Sequence, residues 1–290
     1  MDYLSREWCD LQWTEWIPFS NNNLLSQLPA KPGLYKVRPI GSDFLVYIGQ
    51  TGRSLRERMK SHLSGYLKSD TEMPFNDPHT AAPSLWAWRD AEGWDFECSV
   101  AVLEFPEFTK EKDRQMREGV ESYLLWRYRL ERGESTYCNF GRFHPDYIKS
   151  ASRKSGKRGG RLPKGEKNPA WGKSLPPINV FGNPAEPNWM QEVWSLPQKL
   201  CADEITVGNT PGCYKIIVDG EVVYIGQSLR LHTRLLMHVG KKWGDNPRYS
   251  VVNMPTDTPV YQLLERENDF IGGYVSSMKR PPKFQFLNQD

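Results

Sequence analysis

The chain has 290 residues and a formal net charge of +3, with 38% hydrophobic and 25% charged residues, a composition that fits about two soluble globular domains. No run of about 18 apolar residues occurs, which argues against a membrane span. The start Met1-Asp2-Tyr3-Leu4-Ser5-Arg6-Glu7 lacks a basic-then-apolar leader, so a cytoplasmic location is expected, and five scattered cysteines without a CxxC pair argue against a zinc knuckle or disulfide scaffold.

Along the chain, Trp8, Trp13 and Trp16 with Leu11 and Ile17 come first, and their spacing predicts a partly apolar face packed over the following module rather than an aromatic nucleic-acid surface. Residues 33–37 (GLYKV) read as a strand and residues 44–49 (FLVYIG) as its hairpin partner, because aromatic and β-branched residues favour both. A helix is predicted next, with Ser54 as N-cap and Glu57 at the N3 position of a capping box. Its Leu55 and Met59 share one face, and Arg58 and His62 share another at the i,i+4 spacing. A strand is expected over residues 96–103, then a helix that presents Glu121 while burying Leu124 and Leu125, then Asn139 after Tyr137 and Cys138. Arg142 and His144 are weaker candidates for phosphate contact.

Residues 151–170 (ASRKSGKRGGRLPKGEKNPA) carry seven Lys or Arg against one Glu, with Gly, Ser and Pro that oppose a packed core. This stretch is expected to be a flexible arm following DNA phosphates, the alternative being a solubilising linker.

Beyond it the chain repeats itself. Residues 211–238 read PGCYKIIVDGEVVYIGQSLRLHTRLLMH, against PGLYKVRPI and LVYIGQTGRSLRERMKSH within residues 32–62. Both contain P-G-x-Y-K, a turn, V-Y-I-G-Q, and then an Arg followed four residues later by a His. An Asp219-Gly220 turn joins the second pair of strands, Leu231 and Leu235 form a buried ridge, and Tyr249 to Asn253 is the expected later strand.

On these residues the chain resembles the GIY-YIG nuclease family. Gly33-Leu34-Tyr35 with Tyr47-Ile48-Gly49 carry the paired signature once, and Gly212-Cys213-Tyr214 with Tyr224-Ile225-Gly226 carry it again, Cys213 departing from the usual aliphatic middle residue. Arg58, His62, Glu121 and Asn139 follow in family order. The resemblance covers roughly residues 31–142 and 205–288 and implies an α+β fold of two modules, each a small three-stranded sheet flanked by helices. The division expected is 1–145 for an N-terminal extension and the first module, 146–190 for a basic Gly/Pro-rich linker or DNA-binding arm, and 191–290 for the second module.

The resemblance also implies a divalent-metal-dependent endonuclease acting on DNA, most naturally double-stranded, with Mg²⁺ or Mn²⁺. Glu121 and Glu267 are the implied metal carboxylates, Glu265 lying close enough to Glu267 to stay in view and Glu118 close to Glu121. Tyr47 and Tyr224 are the implied general bases for water, Arg58 and Arg234 the groups that stabilise the pentavalent phosphate, and Tyr35, Tyr214, His62 and His238 the groups that order the network. Asn139 orders the end of the first module; in the second, Gln285 replaces it or Asn288 lies farther on. Three arrangements follow: a covalent pseudo-dimer cutting both strands in a restriction or defence role; one active centre with a degenerate recognition module, nicking or homodimerising; or a noncatalytic DNA-binding protein.

Overall fold

The computed structural model describes residues 2–69, 81–149 and 159–287. Its contacts form two compact units, unit 1 of Met1–Pro106 with Ser135–Lys173 and unit 2 of Glu107–Glu134 with Ser174–Asp290. The fold is mixed α+β, and among the described residues no helix is long and apolar enough to cross a membrane.

In chain order the elements are β1 (Ile17–Pro18), α1 (Asn22–Gln27), β2 (Gly33–Pro39), β3 (Tyr47–Thr51), α2 (Leu55–Glu57), α3 (Ala81–Glu92), β4 (Phe96–Val102), α4 (Lys110–Arg132), β5 (Tyr147–Ile148), β6 (Gly160–Arg161), β7 (Gln198–Lys199), β8 (Gly212–Val218), β9 (Glu221–Ser228), α5 (Leu231–Leu236), β10 (Arg248–Asn253) and α6 (Val260–Met278). Unit 1 contains an antiparallel sheet ordered β1-β4-β2-β3, and unit 2 one ordered β7-β10-β8-β9. Each sheet therefore has four strands, not the three expected. The fourth is a two-residue edge segment, too short to leave an alternating pattern in the sequence.

The period-2 pleat gives each central strand two different faces. In unit 2, Tyr214, Ile216 and Val218 join a cluster with Leu231, Leu235 and Trp243, while Cys213 and Ile217 join one with Phe270, Ile271 and Trp194. Cys213 is fully buried there, so a small apolar thiol suffices at the position where an aliphatic residue was anticipated. Asp219 and Gly220 both take positive φ, as a two-residue hairpin turn requires.

Each unit also carries a bracket that the sequence did not reveal. Trp8 and Trp13 in unit 1 are buried, with Trp13 Nε1 donating to the Trp8 carbonyl at 3.0 Å; Trp189 and Trp194 in unit 2 do the same at 3.1 Å. Behind each pair lies the Lys of P-G-x-Y-K. Lys36 donates to the Tyr3 and Ser5 carbonyls and lies 4.6 Å from the Trp13 ring; Lys215 donates to the Pro184 and Glu186 carbonyls and lies 4.4 Å from the Trp194 ring. Packing is thus the structural fate of Trp8 and Trp13. The module in unit 2 accordingly begins before residue 191, since its Trp bracket and Lys215 partners lie at 184–194.

Two further expectations change. Residues 151–158 of the basic stretch lie outside the described residues, but 159–173 fold as part of unit 1 instead of forming a free arm. β6 pairs with β5, and the buried Asn168 donates its amide to the Tyr147 carbonyl. Trp171 packs on Trp88 and Tyr137, with the Arg142 guanidinium 4.6 Å from its ring. Arg142 and His144 are consequently buried: Arg142 donates to the Gly172 carbonyl, and His144 lies against Trp88 and accepts from the Asp146 N–H. Phosphate contact is not their role.

Finally, α4 counts with unit 2, where it packs along α6. Gly272 makes this close approach feasible, because a Cβ there would meet Trp126 Cβ at 2.4 Å. A boundary at residue 145 therefore cuts across the grouping that the contacts make.

Candidate active site

The two tyrosines of each signature meet because of register. Tyr35 pairs with Gly49 and Val37 with Tyr47; Tyr214 pairs with Gly226 and Ile216 with Tyr224. The tyrosines are thus diagonal neighbours on one sheet face, where side chains reach one another. With only hydrogen opposite, the first ring leans across the glycine towards the second. Ring centroids lie 6.0 Å apart for Tyr35 and Tyr47 and 6.1 Å apart for Tyr214 and Tyr224. A Cβ at Gly226 would stand 2.4 Å from the Tyr214 hydroxyl oxygen. Gly226→Ala should accordingly lower unit 2 stability by roughly 1–3 kcal/mol in chemical denaturation.

In unit 2 the expected residues converge. Arg234 on α5 donates from Nε to the Tyr214 hydroxyl at 3.1 Å, and its charge reaches the Tyr224 phenol as well. His238, one turn on, brings Nε2 to 2.7 Å from the Tyr214 hydroxyl. Glu267 on α6 is half-buried as a residue, but its carboxyl end is enclosed near the Gln227 N–H, one residue past Y-I-G. Trp243, which the sequence reading passed over, packs on Tyr224 and His238 at 5.4 and 5.3 Å and donates Nε1 to the His238 carbonyl. Its only signal was an aromatic set between Lys241-Lys242 and Gly244.

The electrostatics follow from this enclosure. Burial pushes the Glu267 carboxyl up to about 7, against the pull of Arg234 and the Gln227 N–H. Burial, Arg234 and Lys241 push His238 down to about 3, so its imidazole is neutral at any ordinary pH. Burial first, then the Glu267 charge, raises the Tyr224 phenol, while Arg234 and the Tyr214 bond oppose that rise. Tyr214 is raised further, again chiefly by burial. Arg234 keeps additional N–H donors beyond those the phenols use.

Gln285 stands in unit 2 where Asn139 stands in unit 1. Asn139 Oδ1 accepts the Ile48 N–H at 3.0 Å and its amide donates back to the Ile48 carbonyl at 2.8 Å; Gln285 Oε1 accepts the Ile225 N–H at 3.0 Å. The following residues, Phe140 and Phe286, both take positive φ. Asn288 lies outside the described residues.

The first set is only partly gathered within unit 1. Tyr35 and Tyr47 stack, and Asn139 clasps the strand that bears Tyr47. Ser54 caps α2 through the Glu57 N–H, and Leu55 and Met59 are buried as expected. Arg58 and His62 lie on a π-helical turn, Arg58–His62, that continues α2, and Arg58 Nε is buried without a hydrogen-bond partner among the described residues. π-Turns are frequent where a helix aims side chains at a functional site. Glu121, the expected carboxylate of this set, stands on α4 and so belongs to unit 2.

Among the described residues no group of three or more His, Cys, Asp or Glu side chains is placed to hold a metal. A single carboxylate is still a workable donor set for magnesium, which keeps waters and uses substrate phosphate oxygens. Glu267 fits that requirement, being a largely enclosed carboxyl that Arg234 and one N–H leave incompletely balanced.

No protein-family model matches the chain, and neither the curated proteins nor the solved structures contain a match.

Proposed function

We propose that this chain is a divalent-metal-dependent endonuclease of GIY-YIG type that hydrolyses phosphodiester bonds in double-stranded DNA, with a reaction centre formed by Tyr214, Tyr224, Arg234, His238 and Glu267. The observation that carries the reading is the hydrogen bond from Arg234 to the Tyr214 phenol, with Tyr224 and the Glu267 carboxyl close enough to feel the Arg234 charge. Taken singly, each residue type is common in cores and on surfaces. Converged, they offer a proton acceptor, a cationic fork and a carboxylate around one point.

The chemistry is direct water attack. With Tyr224 ionised, the attacking oxygen forms a bond to phosphorus and gives its proton to the Tyr224 oxygen, while the P–O3′ bond breaks and the departing O3′ takes a proton from solvent. Arg234 presents its remaining N–H donors to the phosphate oxygens as negative charge grows on them, which is the difference that accelerates the step. Tyr214, fixed by Arg234 and the neutral His238, aligns Tyr224. A divalent cation held by Glu267 would supply positive charge to the phosphate and departing oxygen and cancel the carboxylate charge that opposes Tyr224 ionisation. Inversion at phosphorus is expected.

The unit 1 set of Tyr35, Tyr47, Arg58, His62 and Asn139 is the second proposed centre, which would make the chain a pseudo-dimer of restriction type; Glu121 is the carboxylate that the family resemblance alone implies for it. The test is supercoiled plasmid DNA with Mg²⁺ or Mn²⁺. Wild type should linearise it, chelation with EDTA should stop cutting, and Glu121→Gln and Glu267→Gln should each leave a nicked circle. Loss of all cutting in one variant alone means a single centre with a recognition module. A folded wild type that binds DNA but cuts nothing with either metal overturns the enzymatic reading.

A further inference from the structure

The loop that ends unit 2 is held by a helix from far earlier in the chain. Gln115 on α4 is completely buried. Its Nε2 donates to the carbonyls of Pro282, Lys283 and Gln285 at 3.2, 3.0 and 2.9 Å. Its Oε1 accepts from Lys112 Nζ at 2.7 Å, which fixes the orientation of the amide. One residue earlier, Arg114 Nη2 donates to the Phe286 carbonyl at 2.9 Å. Four carbonyls of residues 282–286 are therefore gripped by two adjacent side chains of α4.

That loop acts on the site by two routes. Gln285 Oε1 takes the Ile225 N–H, between Tyr224 and Gly226, and the Phe284 N–H donates to the Val223 carbonyl at 2.9 Å. The Phe284 ring meets Trp243 edge-on at 5.5 Å, and Trp243 is the wall behind Tyr224 and His238. Both flanks of Tyr224 thus depend on where residues 284 and 285 sit. In unit 1 the equivalent loop is steadied from within, Thr136 Oγ1 donating to Asn139 Oδ1 at 2.7 Å. In unit 2 the side chains that hold the loop carbonyls are those of α4, Gln115 and Arg114.

We infer that Gln115 is a positioning residue for Tyr224, acting through the 282–286 loop, so that the reaction centre of unit 2 requires a helix encoded among the residues of the first repeat. The structural part stands on the hydrogen bonds alone; its consequence for cutting rests on the nuclease reading.

The test uses the full chain carrying Gln115→Leu, which keeps the volume and removes the donors, read first without DNA. Amide exchange at Ile225 should quicken by about tenfold or more as the strand loosens. In Glu121→Gln background, kcat should fall about tenfold to a hundredfold with KM for DNA nearly unchanged, as expected for misplacement of a reacting group. Should Gln115→Leu fail to fold, Lys112→Met, on the half-buried first turn, should give a smaller change at Ile225 in the same direction. A folded Gln115→Leu chain with Ile225 exchange unchanged overturns the inference, and unchanged Ile225 exchange in Lys112→Met does so where the first variant is lost. If the wild type does not cut but Ile225 loosens as stated, the nuclease reading fails and the positioning role stands.

Discussion

Arg129→Ala should unfold unit 2 more readily than any other single truncation on α4, lowering its stability by about 3–5 kcal/mol in urea denaturation. The guanidinium is fully buried and grips Asp269 through Nε at 2.8 Å and Nη2 at 3.1 Å, while Nη1 lies 3.5 Å from Glu265 and Nη2 also donates to the Leu175 carbonyl. Both carboxylates are themselves fully buried. Glu265 keeps the Ser174 hydroxyl and the Leu175 N–H when Arg129 goes, but Asp269 is left beside the more distant Arg266 at 3.6 Å. Burial already raises the Asp269 carboxyl, and Arg129 is the first influence opposing that rise. Glu265 is thereby a structural acid, which separates it from its neighbour Glu267. Replacing the whole triad with Arg129→Met, Asp269→Leu and Glu265→Met should recover much of the loss, since apolar groups of similar volume leave no stranded charge. An Arg129→Ala chain as stable as wild type would mean that α4 is not held to α6 by this network.

This grip also explains what was and was not readable beforehand. The hairpins, the Asp219-Gly220 turn and the Leu231/Leu235 ridge were legible because local patterns dictate them: β-branched residues in pairs, a turn that needs positive φ, apolar residues four apart. The convergence of Tyr214, Tyr224, Arg234, His238 and Glu267 was legible from motif order, and the register that brings the tyrosines together is written in the glycine opposite Tyr214. The allegiance of α4 was not. Its buried face includes Gln115, Arg117 and Arg129, residue types that a periodicity reading places in solvent, and their partners lie up to 170 residues away. The repeated Trp bracket escaped notice for another reason. Trp8/Trp13 and Trp189/Trp194 are five apart, a spacing of neither helix nor strand, and the turns that bring them together use positive φ at Cys9-Asp10 and Met190-Gln191, of which only Asp10 is a turn-type residue.

Glu267→Gln should abolish cutting by the unit 2 centre and, at the same time, stabilise the protein at neutral pH. The two effects have one cause. An enclosed carboxyl raised from 4.5 to about 7 costs the folded state whenever the unfolded chain can ionise and the folded one resists. Below about 4.5 both states are protonated and the group contributes no pH dependence. Between about 4.5 and about 7 the folded state holds a proton that the unfolded state has lost, so stability falls as pH rises; above about 7 both are ionised and the loss levels off. Glutamine keeps the shape without the charge, and so the wild-type curve should drop below the variant's across that window and run parallel above it. Asp269 and Glu118 are also raised by burial, but they are present in both proteins and cancel in the difference. Activity should move the opposite way. Cation binding needs the carboxylate, so wild-type cutting at this centre should climb through pH 7 and flatten above it, while the variant should lose on the order of 10²–10³ in rate at every pH. A group retained for packing alone would give neither the stability gain nor the rate loss, whereas a site that sacrifices stability for chemistry gives both. Thermal melts of the two proteins from pH 4 to 9, set beside plasmid cleavage over the same range, decide it: superimposable melting curves, or undiminished cutting by Glu267→Gln in a Glu121→Gln background, would remove Glu267 from the reaction centre.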